Sequence, residues 1–213
     1  ISDRAGELAT LGSGTLGADA MSAYGEETNQ LIEQAVQAAN GTLNGDYLFG
    51  GTAVDTPPFT VTRDVNGQIT GVAYAGNASQ SAIPLSETTS ITPNSDGATN
   101  AGLATFINRL VSLRDALKSG ATAAVTATQP NLIASEDQLV SAIANVGGVQ
   151  TRIEASQTQQ ADRTTSLDQL VSSETDTDLP TAIVKLNQVQ TAYQAALQSA
   201  VNIMHLSLLD YSR

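Results

Sequence analysis

The last part of the chain repeats mostly apolar residues every seven positions, and charged side chains are absent from most of this pattern. Three series lie side by side: Ile183, Gln190, Leu197 and Met204; Leu186, Tyr193 and Ala200; and Ala182, Val189, Ala196 and Ile203. From Leu186 to Leu209 there is no Asp, Glu, Lys or Arg. Helices on several sides are needed to cover so wide an apolar face. Gln and Asn are too frequent for a membrane span. The pattern therefore predicts a helix packed among other helices, some of them from other subunits.

The start of this helix is predicted just before its apolar stripe. Asp176 and Asp178 precede Leu179-Pro180; acidic residues favour the positive end of the helix dipole, and proline is tolerated in the first turn. The residues expected to contact neighbouring subunits are the large side chains of the stripe. They are Leu179, Ile183, Leu186, Val189, Tyr193, Leu197, Ile203, Met204 and Leu208.

Helical periodicity also marks three earlier segments. Apolar spacing of three and four residues runs from Met21 to Ala38 and from Leu103 to Leu117, and Asn40-Gly41 and Ser119-Gly120 are typical of helix ends. A longer helix is predicted after Pro130, over about residues 131–172. Its seven-residue series contains Leu132, Leu139, Val146, Ile153, Gln160 and Leu167.

Between the first two of these segments, from about Tyr47 to Thr99, the pattern changes to short strands. Phe59–Arg63 and Gln68–Tyr74 flank Asn66-Gly67, and Asn-Gly accepts the positive φ angles of tight hairpin turns. Further short strands are expected near residues 81–85 and 89–92. These features predict a small β insertion.

The fold class expected from these patterns is mainly α: an elongated antiparallel helical bundle or coiled-coil rod with a small inserted β domain. Aromatic residues make up only 4% of the chain, which suits thin, side-by-side helices. The expected parts are 1–50 and 100–175 for the rod, 51–99 for the β domain and 176–213 for a C-terminal assembly helix. We expect removal of residues 56–96 to spare the rod. Because Ile1 falls within a helical pattern, a preceding N-terminal stretch is also expected.

Composition argues against several function classes. The net charge is −12 and the nine basic residues are scattered, so neither nucleic acid nor an anionic membrane is an expected partner. The chain has no cysteine and one histidine, His205, so it cannot hold a zinc site that needs two histidines. The adjacent carboxylates Glu26-Glu27 and Glu136-Asp137 diverge on a helix. We therefore expect no catalytic residue, metal site or cofactor.

Two stretches carry a resemblance to a known family. The residues from Asp176 to Leu197 and from Leu206 to Tyr211 resemble the C-terminal helix that flagellins share with their junction relatives. Gly41–Phe59, with the later run that begins at Tyr74, resembles the helix-to-domain transition of hook–filament junction proteins. The chain is thereby similar to the flagellin superfamily, and most like its junction members.

The resemblance implies a structural subunit of the bacterial flagellum, located outside the cell and exported through the flagellar channel. It implies as partners the preceding hook-associated adaptor, filament flagellin, other copies of the chain and an export chaperone. Two alternatives stay open. One is a filament flagellin that polymerises by itself, and the other is a surface binding module that uses the β insertion, where Phe59 and Tyr74 are the aromatic residues available. An enzyme ranks last.

Overall fold

Five helices form most of the part of the protein that the structure describes. The computed structural model describes residues 1–85, 89–175 and 178–211, with side chains described as far as Met204. The helices are α1 Ser2–Gly12, α2 Ala18–Ala39, α3 Gly97–Lys118, α4 Thr122–Thr175 and α5 Leu179–Tyr211. The predicted ends of α2 and α3 and the predicted start of α5 are confirmed. Helix α1, which the sequence pattern does not separate from α2, ends at a Gly-containing turn.

Among the described residues between α2 and α3, three two-stranded antiparallel sheets form. Their strands are β1 Thr42–Leu43, β2 Asp46–Tyr47, β3 Phe59–Arg63, β4 Ile69–Tyr74, β5 Ile83–Pro84 and β6 Ser90–Ile91. The β3–β4 hairpin turns at Asn66-Gly67, with Gly67 at a φ of 81°, as the sequence predicts. The mainly α fold class with a small β part is confirmed.

The chain divides into two compact units, Ile1–Ser156 and Gln157–Arg213. In the first unit the helices are antiparallel: Gly25 of α2 lies beside Lys118 of α3, and Asn29 lies beside Arg114. The second unit contains the end of α4 and all of α5. The four-part division by residue number given above stays a prediction.

The core of the first unit is centred on α3. Leu110, Leu113 and Leu117 recur every three or four residues and are fully buried, so they form one face of the helix. They belong to one core with Ile32 of α2 and Leu8 of α1. At roughly 1.5–3 kcal/mol for each fully buried large aliphatic side chain, this face supplies much of the folding free energy of the unit.

The β3–β4 hairpin is part of this core. Phe59, Ile69 and Val72 are buried in the same cluster as the helix residues. The side chain of Asn40 donates to the Phe59 carbonyl at 2.9 Å and accepts from the Phe59 amide at 3.0 Å. Asn108 of α3 binds both backbone groups of Val72 in the same way. These contacts show that the hairpin is not closed by its own turns alone. The expectation that residues 56–96 can be removed without harm to the helices stays a prediction.

A buried arginine ties the hairpin to both helices. Arg114 is 2% exposed, and its Nη1 donates to the Ile69 carbonyl at 2.6 Å and to Asn29 Oδ1 at 3.2 Å. Its guanidinium also pairs with the exposed Asp115 carboxylate at 2.7 Å. Because a buried charge is tolerated only with such partners, Arg114 fixes the relative positions of α2, α3 and β4.

The long helix begins earlier than the sequence analysis predicts. Pro130 lies inside α4, which starts at Thr122, although a proline removes one helical hydrogen bond. Tertiary packing offsets this loss. Val125 is fully buried, and Gln129 Nε2 donates to the Ala9 carbonyl at 3.2 Å. The turn before Pro130 is thus held by α1.

We predict that Asp96→Ala lowers the free energy of unfolding by about 1 kcal/mol, the usual effect of losing an N-cap. Asp96 caps α3, with its carboxylate accepting from the Thr99 amide at 2.7 Å. Urea unfolding followed by circular dichroism measures the change. Asp96→Asn is the matched control, because an amide oxygen can accept the same hydrogen bond, and an equal loss in both variants would contradict the capping role.

Acidification is expected to destabilise the first unit. The Thr99 amide lowers the pKa of Asp96 from its ordinary 3.8, and hydrogen bonding to Arg63 lowers the pKa of Glu33 from 4.5. Both groups therefore bind protons more readily in the unfolded chain. Their contribution is fully present above these ordinary values and is lost as pH falls through the lowered folded values. Thermal melts over this range should show Tm falling with pH, and less steeply in Asp96→Asn.

Candidate assembly surface

Helix α5 begins at a capped turn. Asp178 Oδ1 accepts from the Thr181 amide at 3.3 Å, and Oδ2 accepts from the Thr181 hydroxyl at 2.6 Å. The Thr181 side chain, and then its amide, lower the pKa of Asp178. Pro180 lies in the first turn, where its missing N–H costs no helical hydrogen bond. Asp178 thus fills the role the sequence predicts, whereas Asp176 lies outside the described residues.

The predicted assembly residues are exposed. From Leu179 to Met204 every side chain of α5 is exposed, with Leu197 at 50% and Ile203 at 66%. Only the side chain of Leu208, among the nine predicted residues, lies outside the described part. Apolar side chains in such a row gain free energy when a partner removes them from water.

These side chains form a continuous stripe on one side of α5. At ~100° per residue, those of Leu179, Ile183, Leu186, Val189, Tyr193, Leu197 and Met204 point within a sector of about 120°, while Ile203 flanks it. The stripe from Leu179 to Met204 is about 38 Å long at ~1.5 Å per residue. We call the seven residues of this sector, together with the flanking Ile203, the α5 stripe. Val201 (47% exposed) belongs to the same sector and was missed, although its spacing of four from Leu197 could have shown it.

The opposite side of α5 is mixed: it carries polar residues together with Val184, Ala192 and Ala195, and it is uncharged over most of its length. Asn187, Thr191 and Gln198 lie outside the sector of the stripe at the same ~100° per residue. Such a helix has a side for apolar packing and a side for water or hydrogen-bonding neighbours. Its lack of charge lets identical helices approach without repulsion.

A second apolar surface lies on α4 within the first unit. Leu139 packs at the edge of the core, and Ile143 and Val146 beyond it are exposed. Together with Phe49 and Leu103 they line an open groove of about 470 Å³. These apolar side chains give this part of the groove the chemistry of a packing surface.

The side chains that could bind a metal ion do not form a cluster in the described part of the chain. Among the described residues, no group of three or more His, Cys, Asp or Glu side chains could hold a metal ion. The side chain of His205 lies outside the described part. None of the helices, as far as they are described, is long and apolar enough to cross a membrane.

Solved structures of similar fold exist, although no family model and no curated protein sequence matches the chain. The structure of FlgL from Bacillus cereus aligns over 78% of this chain and 78% of its own, with a TM-score of 0.64 and 22% identity. FlgL from Xanthomonas campestris aligns over 81% and 88%, with a TM-score of 0.60 and 14% identity. Flagellar hook-associated protein 3 from Legionella pneumophila aligns over 79% and 87%, with a TM-score of 0.56 and 12% identity.

The chain has the fold of flagellar hook-associated proteins. The shared fold covers about four fifths of this chain in each comparison. It is the fold that the resemblance in the C-terminal helix and in the Gly41–Phe59 stretch implies. At 12–22% identity, the likeness concerns the path of the backbone, and the side chains that act in assembly have to be argued from this chain itself.

Proposed function

We propose that this chain is a structural subunit of the bacterial flagellum, located outside the cell, that joins the hook to the filament. The observation that carries the proposal is the common fold with hook-associated proteins over most of both chains. The exposed α5 stripe supports it, because a subunit whose helix is completed only by neighbours is suited to assembly. Its mechanism is packing between subunits, without a chemical reaction.

The α5 stripe is the proposed interface with neighbouring axial subunits. Its side chains are exposed in the single chain, uncharged from Leu186 onward, and long enough as a row to follow a neighbouring helix for about seven turns at ~5.4 Å each. The stripe would contact the preceding hook-associated adaptor, the first filament flagellin and other copies of the chain. The side chains that would make these contacts are Leu179, Ile183, Leu186, Val189, Tyr193, Leu197, Ile203, Met204 and Leu208. Before assembly, an export chaperone would cover the same stripe during passage through the flagellar channel.

Electron microscopy of negatively stained samples tests the junction function. The purified full chain is incubated alone, with hook–basal bodies that carry the preceding hook-associated adaptor, and with hook–basal bodies stripped of it. We expect a short added zone on the adaptor-bearing hooks, no zone on the stripped hooks, and no fibres from the protein alone. Sedimentation of the same mixtures gives the amount bound.

The other outcomes separate the remaining functions. Long filaments from the protein alone would replace the junction function with that of a self-polymerising flagellin. Absence of binding to adaptor-bearing hooks, with the protein folded by circular dichroism, would contradict a place in the axial structure. In that case the β insertion as a ligand-binding surface would be the function to examine.

A further inference from the structure

Three Asn-Gly pairs occur in the chain, at Asn40-Gly41, Asn44-Gly45 and Asn66-Gly67. Asn-Gly is the dipeptide most prone to deamidation, because glycine has no side chain to shield its amide nitrogen from the neighbouring Asn carbonyl carbon. In an unfolded chain the three pairs would react at similar rates. Their surroundings in the fold differ, so the folded protein distinguishes between them.

We infer that Asn44 is a site of spontaneous deamidation in the folded protein, whereas Asn40 and Asn66 are protected. The Gly45 amide nitrogen attacks the Asn44 Cγ, a C–N bond forms, the bond to the side-chain nitrogen breaks, and ammonia leaves. Water then opens the resulting succinimide at either carbonyl, which gives aspartate or isoaspartate. The net reaction consumes one water and releases one ammonia, with no oxidation or reduction. The inference does not depend on the proposed function.

The Asn44-Gly45 turn is open to this reaction. Asn44 and Gly45 are both exposed and have φ angles of 56° and 98°, as in the tightest hairpin turns. Among the described residues, neither the Asn44 side chain nor the Gly45 amide has a hydrogen-bond partner. The nucleophile and the carbon it attacks are therefore accessible to water.

The hairpin that carries this turn is also weakly held. The β1–β2 pairing consists of Thr42 with Tyr47 and Leu43 with Asp46, and neither strand has a buried side chain. A two-stranded hairpin without a buried face is marginally stable. Local opening at low free energy cost then lets the Asn44 side chain reach the geometry of ring closure.

The Asn66-Gly67 turn is held more firmly. The Gly67 amide donates to the Asp64 carbonyl at 3.1 Å, so the nucleophile is occupied. Asp64 Oδ1 accepts from the amides of Asn66 at 2.9 Å and Gln68 at 2.8 Å. The strands on either side carry the buried Phe59, Ile69 and Val72, so opening this hairpin disturbs the core.

Asn40 is protected by its side chain. Its Nδ2 donates to the Phe59 carbonyl and its Oδ1 accepts from the Phe59 amide, at 2.9 and 3.0 Å. The Gly41 amide donates to the Ala38 carbonyl at 3.1 Å. Rotation of the Asn40 amide toward Gly41 would break both bonds to the buried Phe59, so ring closure requires opening of the unit.

Conversion of Asn44 changes both charge and backbone. Either product adds one negative charge to the net −12 of the chain. Isoaspartate also adds one carbon to the main chain within a two-residue turn, which cannot keep Leu43 opposite Asp46. The contact that β2 makes beyond its partner strand, from the Tyr47 amide to the Val54 carbonyl at 2.9 Å, would loosen with it.

Peptide mapping by mass spectrometry tests the inference. The full chain is incubated at mildly alkaline pH under native conditions and in concentrated urea, and aspartate and isoaspartate are measured at all three sites over time. Natively, we expect Asn44 to convert at least ~10-fold faster than Asn66 and Asn40, because its hairpin opens more easily. In urea the three rates should lie close together.

Two variants complete the test. Asn44→Gln should abolish the acidic species that forms under native conditions, because glutamine closes its larger ring far more slowly, and Asn66→Gln should leave that species unchanged. Equal native rates at Asn44 and Asn66 would overturn the inference. So would the same ratio of rates in urea as in the folded protein, since the fold would then have no part in the selection.

Discussion

Leu197→Asp should abolish assembly onto adaptor-bearing hooks while the isolated chain stays folded. Leu197 lies in the middle of the α5 stripe and is 50% exposed, so the substitution removes few contacts within the chain. Covering the rest of the side chain gains about half of the ~1.5–3 kcal/mol of full burial. In the variant the same step buries a carboxylate without a partner, which costs far more than this gain.

Gln198→Asp is the matched control for this prediction. It introduces the same charge at the next position of the same helix, about 100° away on the polar side. Co-sedimentation with hook–basal bodies should show binding near that of the unchanged chain for Gln198→Asp and no binding for Leu197→Asp. Circular dichroism should be the same for all three proteins. Equal binding by both variants would show that the α5 stripe is not the interface.

Helix ends and tight turns are the parts of this fold that local sequence determines. Ser119-Gly120 ends a helix and Asn66-Gly67 turns a hairpin with the glycine at a positive φ, whereas Asn40-Gly41 ends α2 without one. The predicted start of the long helix after Pro130 was wrong, because burial of Val125 against α1 outweighs the local effect of proline. The burial of Val125 depends on α1, which is distant from it in the sequence.

The polar contacts that join the hairpin to the helices could not be predicted from the sequence. Asn40, Asn108 and Arg114 look like ordinary surface residues in the printed chain, and their hydrogen bonds reach partners 19, 36 and 45 positions away. The α5 stripe is the opposite case. Its apolar periodicity and lack of charge predict where the stripe lies in the sequence. Which molecules cover it depends on their own surfaces, and the sequence of this chain does not specify those.

The second large effect concerns the core that the hairpin shares with the helices. Phe59→Ala should lower the free energy of unfolding by about 3–5 kcal/mol, the usual range for loss of a buried phenylalanine. Phe59 is 2% exposed, its ring lies 5.4 Å from that of Tyr74, and its backbone is held by Asn40. Since domains are typically stable by only about 5–15 kcal/mol, the variant should unfold at much lower urea.

Val61→Ala is the control for this substitution, because Val61 lies on the same strand but is 37% exposed, and it should shift the urea midpoint little. The measurement that tests whether the hairpin and the helices form one core is the rate of hydrogen exchange along α3, where Leu110 and Leu113 are buried. If the hairpin and helices share one cooperative core, Phe59→Ala speeds exchange in α3 and in β4 together. If the insertion is an independent module, hydrogen exchange becomes faster in β3 and β4 while α3 keeps its protection. That result would contradict the conclusion that Arg114 and Asn108 join the hairpin and the helices into one core.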